Sequence, residues 1–271
     1  MRILFIGDIF GRSGREALEQ HLPSLRERLH PDVIIVNGEN ACHGRGINET
    51  IAKSFFEFGI DCITTGNHIW DQREVIPYIQ KEKRLLRPIN FPNGTPGNGS
   101  CTLQLADGRK IKIINAMARL FMDPLDCPFL SVDKEIETSR LGDNVNAIFL
   151  DFHGETTSEK MAMGHFLDGR VTGVIGTHTH IPTADAHILE KGTAYMTDAG
   201  MTGDYNSVIG AEKAGPVKRF YNKMPGDRMT PAKGEAMLCG ALIVSNDHTG
   251  LATSIEPVRI GKGLSETMPN G

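Results

Sequence analysis

The sequence predicts an α/β protein with parallel strands, because buried-strand patterns alternate with helical patterns along the chain. The strand patterns are short apolar runs rich in β-branched residues, at residues 2–7, 32–37, 61–66, 146–152 and 171–177. Between the first two runs, leucines at positions 18, 22, 25 and 29 recur at the spacing of one helix face. The chain of 271 residues is long enough to bury a substantial core.

Further helices are predicted between the later strands. Residues 49–58 and 72–83 have helical patterns, and a capping box, Thr156-x-x-Glu159, is expected to start a third helix after the fourth strand. Pro23 lies inside the first helical pattern and is expected to kink or split that helix.

Antiparallel elements indicate a second, mixed sheet. Residues 102–116 predict a hairpin that turns at Asp107-Gly108, residues 186–197 predict another, and residues 240–260 predict two final strands. The polar segment of residues 261–271 is expected to fray. No repeat or long linker divides the chain, so residues 1–271 are expected to form a single domain.

Composition excludes several functional classes. A formal charge of −4 and an isoelectric point near 6.2 predict no extended nucleic-acid surface. No apolar run approaches membrane-spanning length, so we expect a cytoplasmic protein without membrane attachment. The five cysteines include no C-x-x-C pair, which argues against a disulfide framework or a cysteine-rich zinc site.

Polar side chains follow each of the five predicted buried strands. In chain order they are Asp8, then Glu39-Asn40, then Asn67-His68, then His153 and Glu155, and finally His178 and His180. The carboxyl ends of parallel strands share one edge of a sheet, where ligands bind. Any one of these residues could be a turn or a helix cap, but caps do not account for the whole set, least of all for its histidines.

These residue types suit a borderline divalent metal such as Mn, Fe, Zn or Co. They are too many for one tetrahedral ion, whereas two ions about 3.5 to 4 Å apart, bridged by a carboxylate, would use them all. His178 and His180 are two residues apart, so in an extended chain both would face the site, one for each ion. Asn67 and His68 are adjacent and should diverge, one as a ligand and the other free for catalysis.

The motifs "GDIFG", "NGEN", "TGNHIWD", "DFHGE" and "GTHTH" together resemble those of the calcineurin-like metallophosphoesterases, in the same order. The variant signature is similar to that of the YmdB-like branch, bacterial phosphodiesterases associated with cyclic nucleotides. The resemblance covers nearly the whole chain. It implies a four-layer αββα sandwich of two mixed β-sheets flanked by helices.

The resemblance also implies a ligand for each position of a binuclear centre. The first metal would take Asp8 and His180, the second would take Asn67, His153 and His178, and Glu39 would bridge the two. The first-motif histidine of the family is replaced by Phe10, and Asn40 is the expected substitute ligand. A carboxamide oxygen is a harder ligand than imidazole, which favours Fe or Mn over Zn.

The implied activity is hydrolysis of a 2′,3′- or 3′,5′-cyclic nucleotide, or of another phosphodiester, by attack of a metal-bridged hydroxide on phosphorus. His68 is expected to act as general acid or charge stabiliser, and His43 and Arg45 are candidates for contact with the substrate. An alternative is a regulatory protein that binds a nucleotide through the same metals and hydrolyses it slowly. A homo-oligomer is left open.

Overall fold

The computed structural model describes residues 1–224 and 229–269, and these form eleven strands and six α-helices. The strands are β1 (Arg2–Ile6), β2 (Val33–Asn37), β3 (Cys62–Thr64), β4 (Ser100–Gln104), β5 (Lys110–Met117), β6 (Ala147–His153), β7 (Gly173–Thr177), β8 (His187–Ile188), β9 (Ala194–Met196), β10 (Met237–Ser245) and β11 (Ala252–Gly261). The helices are α1 (Gly11–Leu29), α2 (Glu49–Glu57), α3 (Ile76–Ile79), α4 (Pro128–Ile136), α5 (Thr157–Leu167) and α6 (Ala214–Asn222), and a 3₁₀ turn over Arg73–Val75 precedes α3.

The strands form two mixed sheets, as the sequence predicts. The first sheet has the order β11-β10-β1-β2-β3, with β1, β2 and β3 parallel. The second has the order β4-β5-β6-β7-β9-β8, with β5, β6, β7 and β9 parallel. The two predicted hairpins are present as the antiparallel pairs β4–β5 and β8–β9, and the two final strands pair as β10–β11.

Alternation along β1 explains how the layers stack. Ile3 and Phe5 face the second sheet and join a buried cluster that includes Ile113 and Phe149. Leu4 and Ile6 point the other way, into a cluster with the leucines of α1 and with residues of α2. A third cluster holds α4 and α5 against the outer face of the second sheet. The four-layer αββα sandwich is therefore confirmed.

Two local expectations are wrong, and a third is corrected in part. Helix α1 runs through Pro23 as one helix, so the predicted split is absent, whereas a kink at Pro23 stays a prediction. Helix α5 starts after Thr156 as predicted, but the capping box does not form: Thr156 makes no capping hydrogen bond, and Glu159 accepts the backbone N–H groups of Arg119 and Leu120 instead. The tail was expected to fray, yet Thr267 pairs with Arg259 through two backbone hydrogen bonds of 2.8 and 2.9 Å. Residues 270–271 lie outside the described residues.

The parallel strands of both sheets bring their carboxyl ends to one region. Asp8 follows β1, Glu39 follows β2 and Asn67 follows β3, while His153 ends β6 and His178 follows β7. No helix in the described part of the chain is long and apolar enough to span a bilayer.

Candidate metal centre

The strand ends bring predicted site residues into two overlapping groups. Glu39, His153 and His178 form one, and Asp8, Glu39 and His180 form the other, with ligand atoms within 4.8 Å of one another in each group. Glu39 is the member they share, and it is fully buried. This is the position that a bridging carboxylate requires.

The two asparagines lie at the same groups but present different atoms. Asn67 places Oδ1 2.9 Å from Nε2 of His153, so its oxygen faces the group that contains His153. Asn40 places Nδ2 3.0 Å from Oε1 of Glu39 and 3.2 Å from Nε2 of His180. Asn40 is therefore in the predicted place, but its carboxamide must turn by half a rotation before the oxygen can serve as a ligand.

A hydrogen-bond relay orients His153. Thr177 donates its hydroxyl hydrogen to Oδ1 of Asp151 over 2.6 Å, and the same hydroxyl lies 2.9 Å from Nδ1 of His153. Because the single hydroxyl hydrogen is already committed to a carboxylate, Nδ1 of His153 must be the donor. Its Nε2 therefore carries the lone pair and points toward the other members of its ligand group, as the ligating nitrogen of a metal-binding histidine does.

Outer partners orient the other two histidines in the same way. Nδ1 of His180 donates to the carbonyl oxygen of Ile209 over 2.8 Å, which leaves Nε2 on the side of Asn40. Nε2 of His178 lies 3.1 Å from Oε2 of Glu155, and this carboxylate accepts a hydrogen bond. In His178 it is therefore Nδ1 that faces inward.

When each imidazole carries a single proton, acceptor atoms consequently converge without enough donors to pair them. Nε2 of His153 lies 3.1 Å from Nδ1 of His178 and 3.2 Å from Oε1 of Glu39, besides its contact with Asn67. Oδ1 of Asp8 is buried and has no hydrogen-bond partner among the described residues. Facing lone pairs and an orphan carboxylate oxygen in a buried site are satisfied by cations, so the donor set fits divalent metal ions.

The pKa values of the site residues reflect the same excess of negative charge and lone pairs. Burial lowers the pKa of His153, but the Glu39 carboxylate outweighs it and raises that pKa to about 9. Burial raises the pKa of Glu39, but the positive charge of His153 overcomes it and holds that pKa well below its usual range. Burial also raises the pKa of Asp8 to about 6 and, together with the charge of His153, lowers the pKa of His178 to about 3. A proton on His153 thus stands where a cation is needed.

Backbone geometry corrects the predicted arrangement of the H-x-H pair. His178 and His180 have φ angles of 99° and 68°, so this segment is not extended, and the two rings reach different groups through left-handed turns. The turns are held by Asp198, whose Oδ2 accepts the backbone N–H of Thr179 at 3.0 Å and its hydroxyl at 2.8 Å. Lys160, fully buried, pairs with the same carboxylate oxygen at 2.8 Å. Strained residues of this kind are typical of functional sites.

Glycine at position 66 permits the close approach of the ligands. A Cβ there would lie 2.3 Å from Oε2 of Glu39 and 2.3 Å from the ring of His153. The "TGNH" segment can therefore pass beside the shared carboxylate only with glycine at this point.

His68 lies beside the centre and is oriented by a residue that the sequence reasoning missed. Its backbone N–H donates to Oε2 of Glu39 over 3.2 Å, and its Nδ1 lies 3.0 Å from Oδ2 of Asp71. A cavity next to the centre is lined by His68 together with Asn40, His180, His43 and Arg45. Both substrate-contact candidates are thus placed on the wall of this cavity, and both are exposed.

Phe10 occupies the place of the missing histidine. Its ring packs edge-on against His180, with centroids 5.4 Å apart and planes at 75°, and it lines the same cavity. Gly44 and Gly210 leave room for it, because a Cβ at either would lie within 2.9 Å of the ring. The departure from the family motif is therefore accommodated by the fold.

Comparison with known proteins agrees with these observations. The family model described as YmdB-like protein matches residues 4–258. A Bacillus subtilis (strain 168) protein named 2′,3′-cyclic-nucleotide 2′-phosphodiesterase is 46% identical over 260 residues, which cover 96% of this chain and 97% of that protein.

Two crystal structures share the fold. A hypothetical protein from Thermus thermophilus is 40% identical with a TM-score of 0.90, over 97% of this chain and 100% of that one. A novel phosphatase from Mycoplasma pneumoniae is 32% identical with a TM-score of 0.89, over 96% of this chain and 93% of that one.

Proposed function

The chain belongs to the YmdB-like protein family, and on that premise we propose that it is a metal-dependent phosphodiesterase that hydrolyses 2′,3′-cyclic nucleotides. The enzyme class rests on the family and on the names of its relatives, a phosphodiesterase and a phosphatase. The single observation that carries the metal dependence is the pair of ligand groups that share Glu39. The choice of the 2′,3′-cyclic ester over the 3′,5′-cyclic ester rests on the name of the Bacillus subtilis relative.

In this proposal Asp8 and His180, assisted by Asn40 after its carboxamide turns, would hold one ion. Asn67, His153 and His178 would hold the other, and Glu39 belongs to both groups. Bound ions would supply positive charge for the phosphoryl oxygens and a water of lowered pKa. Carboxylate and carboxamide oxygens form a large share of the ligands, which favours Mn or Fe over Zn.

His68 would donate a proton to the oxygen of the leaving group. Nδ1 of the His68 ring is hydrogen-bonded to Asp71, so Nε2 of His68 is the nitrogen available to the cavity. Hydrolysis adds one water across the phosphorus–oxygen bond at the 2′ position. The hydroxyl of the water stays on phosphorus, which leaves a 3′-phosphate, and a proton from Nε2 converts the leaving oxygen to the 2′-hydroxyl. The remaining proton of the water then replaces the one that Nε2 gave. A cytoplasmic location, a single domain and the oligomeric state stay predictions.

The test compares wild type with His68→Ala and a matched control, His165→Ala, which removes an exposed histidine from α5. After loading with Mn²⁺, each protein is assayed with adenosine 2′,3′-cyclic and 3′,5′-cyclic phosphate. Loss of a general acid should lower kcat of His68→Ala by about 10²- to 10⁴-fold. Metal content should not change, since His68 is not a ligand in the proposal.

Three results would count against the proposal. Loss of metal in His68→Ala would make this residue a ligand. Turnover of only the 3′,5′-cyclic ester would refute the substrate assignment. Nucleotide binding without turnover by metal-loaded wild type would favour the regulatory alternative.

A further inference from the structure

A second cavity adjoins the cavity that is lined by His68. His43 and Pro231 line both cavities, so the two share a wall. The remaining lining of the second cavity comes from the first turns of α1 and from the segment at 232–233: Arg12, Ser13, Arg15, Glu16, Ala232 and Lys233. A ligand that extends past His43 from the catalytic cavity would therefore lie beside this second cavity.

The second cavity is positively charged on a chain whose net charge is −4. It contains three cationic side chains, Arg12, Arg15 and Lys233, against the single carboxylate of Glu16. Glu16 lies 2.7 Å from Nε of Arg12, so one of these charges is already offset. Arg15 donates through Nη1 to the carbonyl oxygen of Ala41, which orients its guanidinium without neutralising it.

Two of the polar side chains in this cavity have no partner. In the part of the chain that the structure describes, the side chains of Lys233 and His43 make no hydrogen bond or ion pair. The amino terminus of α1, a helix of 19 residues, adds to the positive potential, because its first turn contains no acidic residue and Phe10 cannot cap it. Both side chains are exposed and free to turn toward a ligand, and cationic side chains beside a helix amino terminus are an arrangement that suits an anion.

The second cavity adjoins the catalytic cavity through His43 and Pro231, and this adjacency indicates which anion it would take. If the cyclic phosphate lies at the metal centre and its nucleoside fills the cavity beside His68, the next group along a nucleic-acid chain is the phosphate on the 5′ side of that nucleoside. We propose that the second cavity binds this 5′ phosphate, and that the substrate class is the 3′ end of an oligoribonucleotide that carries a 2′,3′-cyclic phosphate. This inference rests on the proposed function and deepens it.

The inference is compatible with the acidic composition. One phosphate needs a local site of two or three cations, whereas an extended nucleic-acid surface needs a basic face along the protein. The cations described at this cavity are enough to bind one phosphate but too few to form an extended nucleic-acid surface.

The test measures kcat/KM of the Mn²⁺-loaded protein for three esters with the same reacting group. These are adenosine 2′,3′-cyclic phosphate, its 5′-phosphorylated form, and the dinucleotide adenylyl-adenosine with a terminal 2′,3′-cyclic phosphate. One charge-assisted contact should raise kcat/KM of both phosphorylated substrates by about tenfold over the simple nucleoside ester. Added salt should reduce this preference.

Two charge reversals, Lys233→Glu and Arg12→Glu, should each reduce the ratio of dinucleotide to nucleoside-ester kcat/KM. The control Lys134→Glu reverses an exposed charge on α4, on the far side of the sandwich, and should leave the ratio unchanged. A ratio near one in wild type would overturn the inference while the proposed function stands. A preference for the dinucleotide alone, without one for the 5′-phosphorylated ester, would also overturn it, since the base and not the phosphate would be recognised. Failure to hydrolyse any of the three esters would refute the proposed function itself.

Discussion

Replacing Thr177 with valine removes the central hydroxyl of the relay that orients His153. Valine has nearly the same shape as threonine, so the change deletes hydrogen bonds without opening a cavity. The hydroxyl lies 2.6 Å from Oδ1 of Asp151 and 2.9 Å from Nδ1 of His153. All three residues are fully buried, so water cannot replace either partner.

Two consequences follow from this geometry. The N–H of His153 and one oxygen of Asp151 lose their partner, which should cost about 1 to 3 kcal/mol of stability for each group left unsatisfied. The ring of His153 is also no longer held in the orientation and tautomer that direct Nε2 inward. Loss of such an outer partner typically lowers metal affinity by about 10- to 100-fold, which is about 1.4 to 2.8 kcal/mol of binding free energy.

The matched control is Thr172→Val. Thr172 is also fully buried, and its hydroxyl donates to the carbonyl oxygen of Gly250 over 2.7 Å, but it has no contact with the centre. Calorimetric unfolding of the metal-free proteins should show a loss of stability in both variants. Titration with Mn²⁺ should show weaker binding in Thr177→Val alone. Equal Mn²⁺ affinity in Thr177→Val and wild type would refute the argument that the relay prepares His153 for a metal.

Three further predictions concern the same centre. Mn²⁺ affinity should rise by up to about tenfold per pH unit between about pH 6.5 and 8.5. The reason is that metal binding must displace the proton on His153, whose pKa the Glu39 carboxylate raises to about 9. A pH-independent affinity in titration calorimetry would contradict this. Gly66→Ala should abolish metal binding, since its Cβ would lie 2.3 Å from Oε2 of Glu39. The control Gly215→Ala has open space around the added atom and should bind metal normally, as elemental analysis of both variants would show. Asp71→Asn should lower kcat by more than about tenfold with metal content unchanged, because it loosens His68, and an unaltered kcat would remove Asp71 from the proposed role.

Strand and helix positions were predictable where the residue pattern was strong. The buried strands and the hairpin at Asp107-Gly108 follow from apolar periodicity and turn chemistry. The capping box at Thr156 failed because tertiary contacts compete with local ones: Glu159 is used by the loop at 119–120. Pro23 did not split α1, whose leucines on both sides of it pack into one core.

The inner residues of the site were predictable because each one follows a strand, and the topology brings strand ends together. The outer partners were not, since Asp151 lies inside an apolar strand and Asp71 resembles an ordinary loop carboxylate in the sequence. A carboxylate within the run "AIFLDFH" was the one available signal, because a charged residue in a buried strand needs partners. The positive φ angles of His178 and His180 had no signal, since non-glycine residues seldom adopt them.

The most direct test of the binuclear centre is metal content by elemental analysis after reconstitution with Mn²⁺. Wild type is compared with Glu39→Gln, which removes the charge of the shared carboxylate, and with Glu27→Gln, which changes an exposed carboxylate on α1. The proposal predicts about two ions per chain in wild type and in Glu27→Gln, and about one or none in Glu39→Gln. Fewer than about one ion in wild type, or about two in Glu39→Gln, would contradict a binuclear centre built around Glu39.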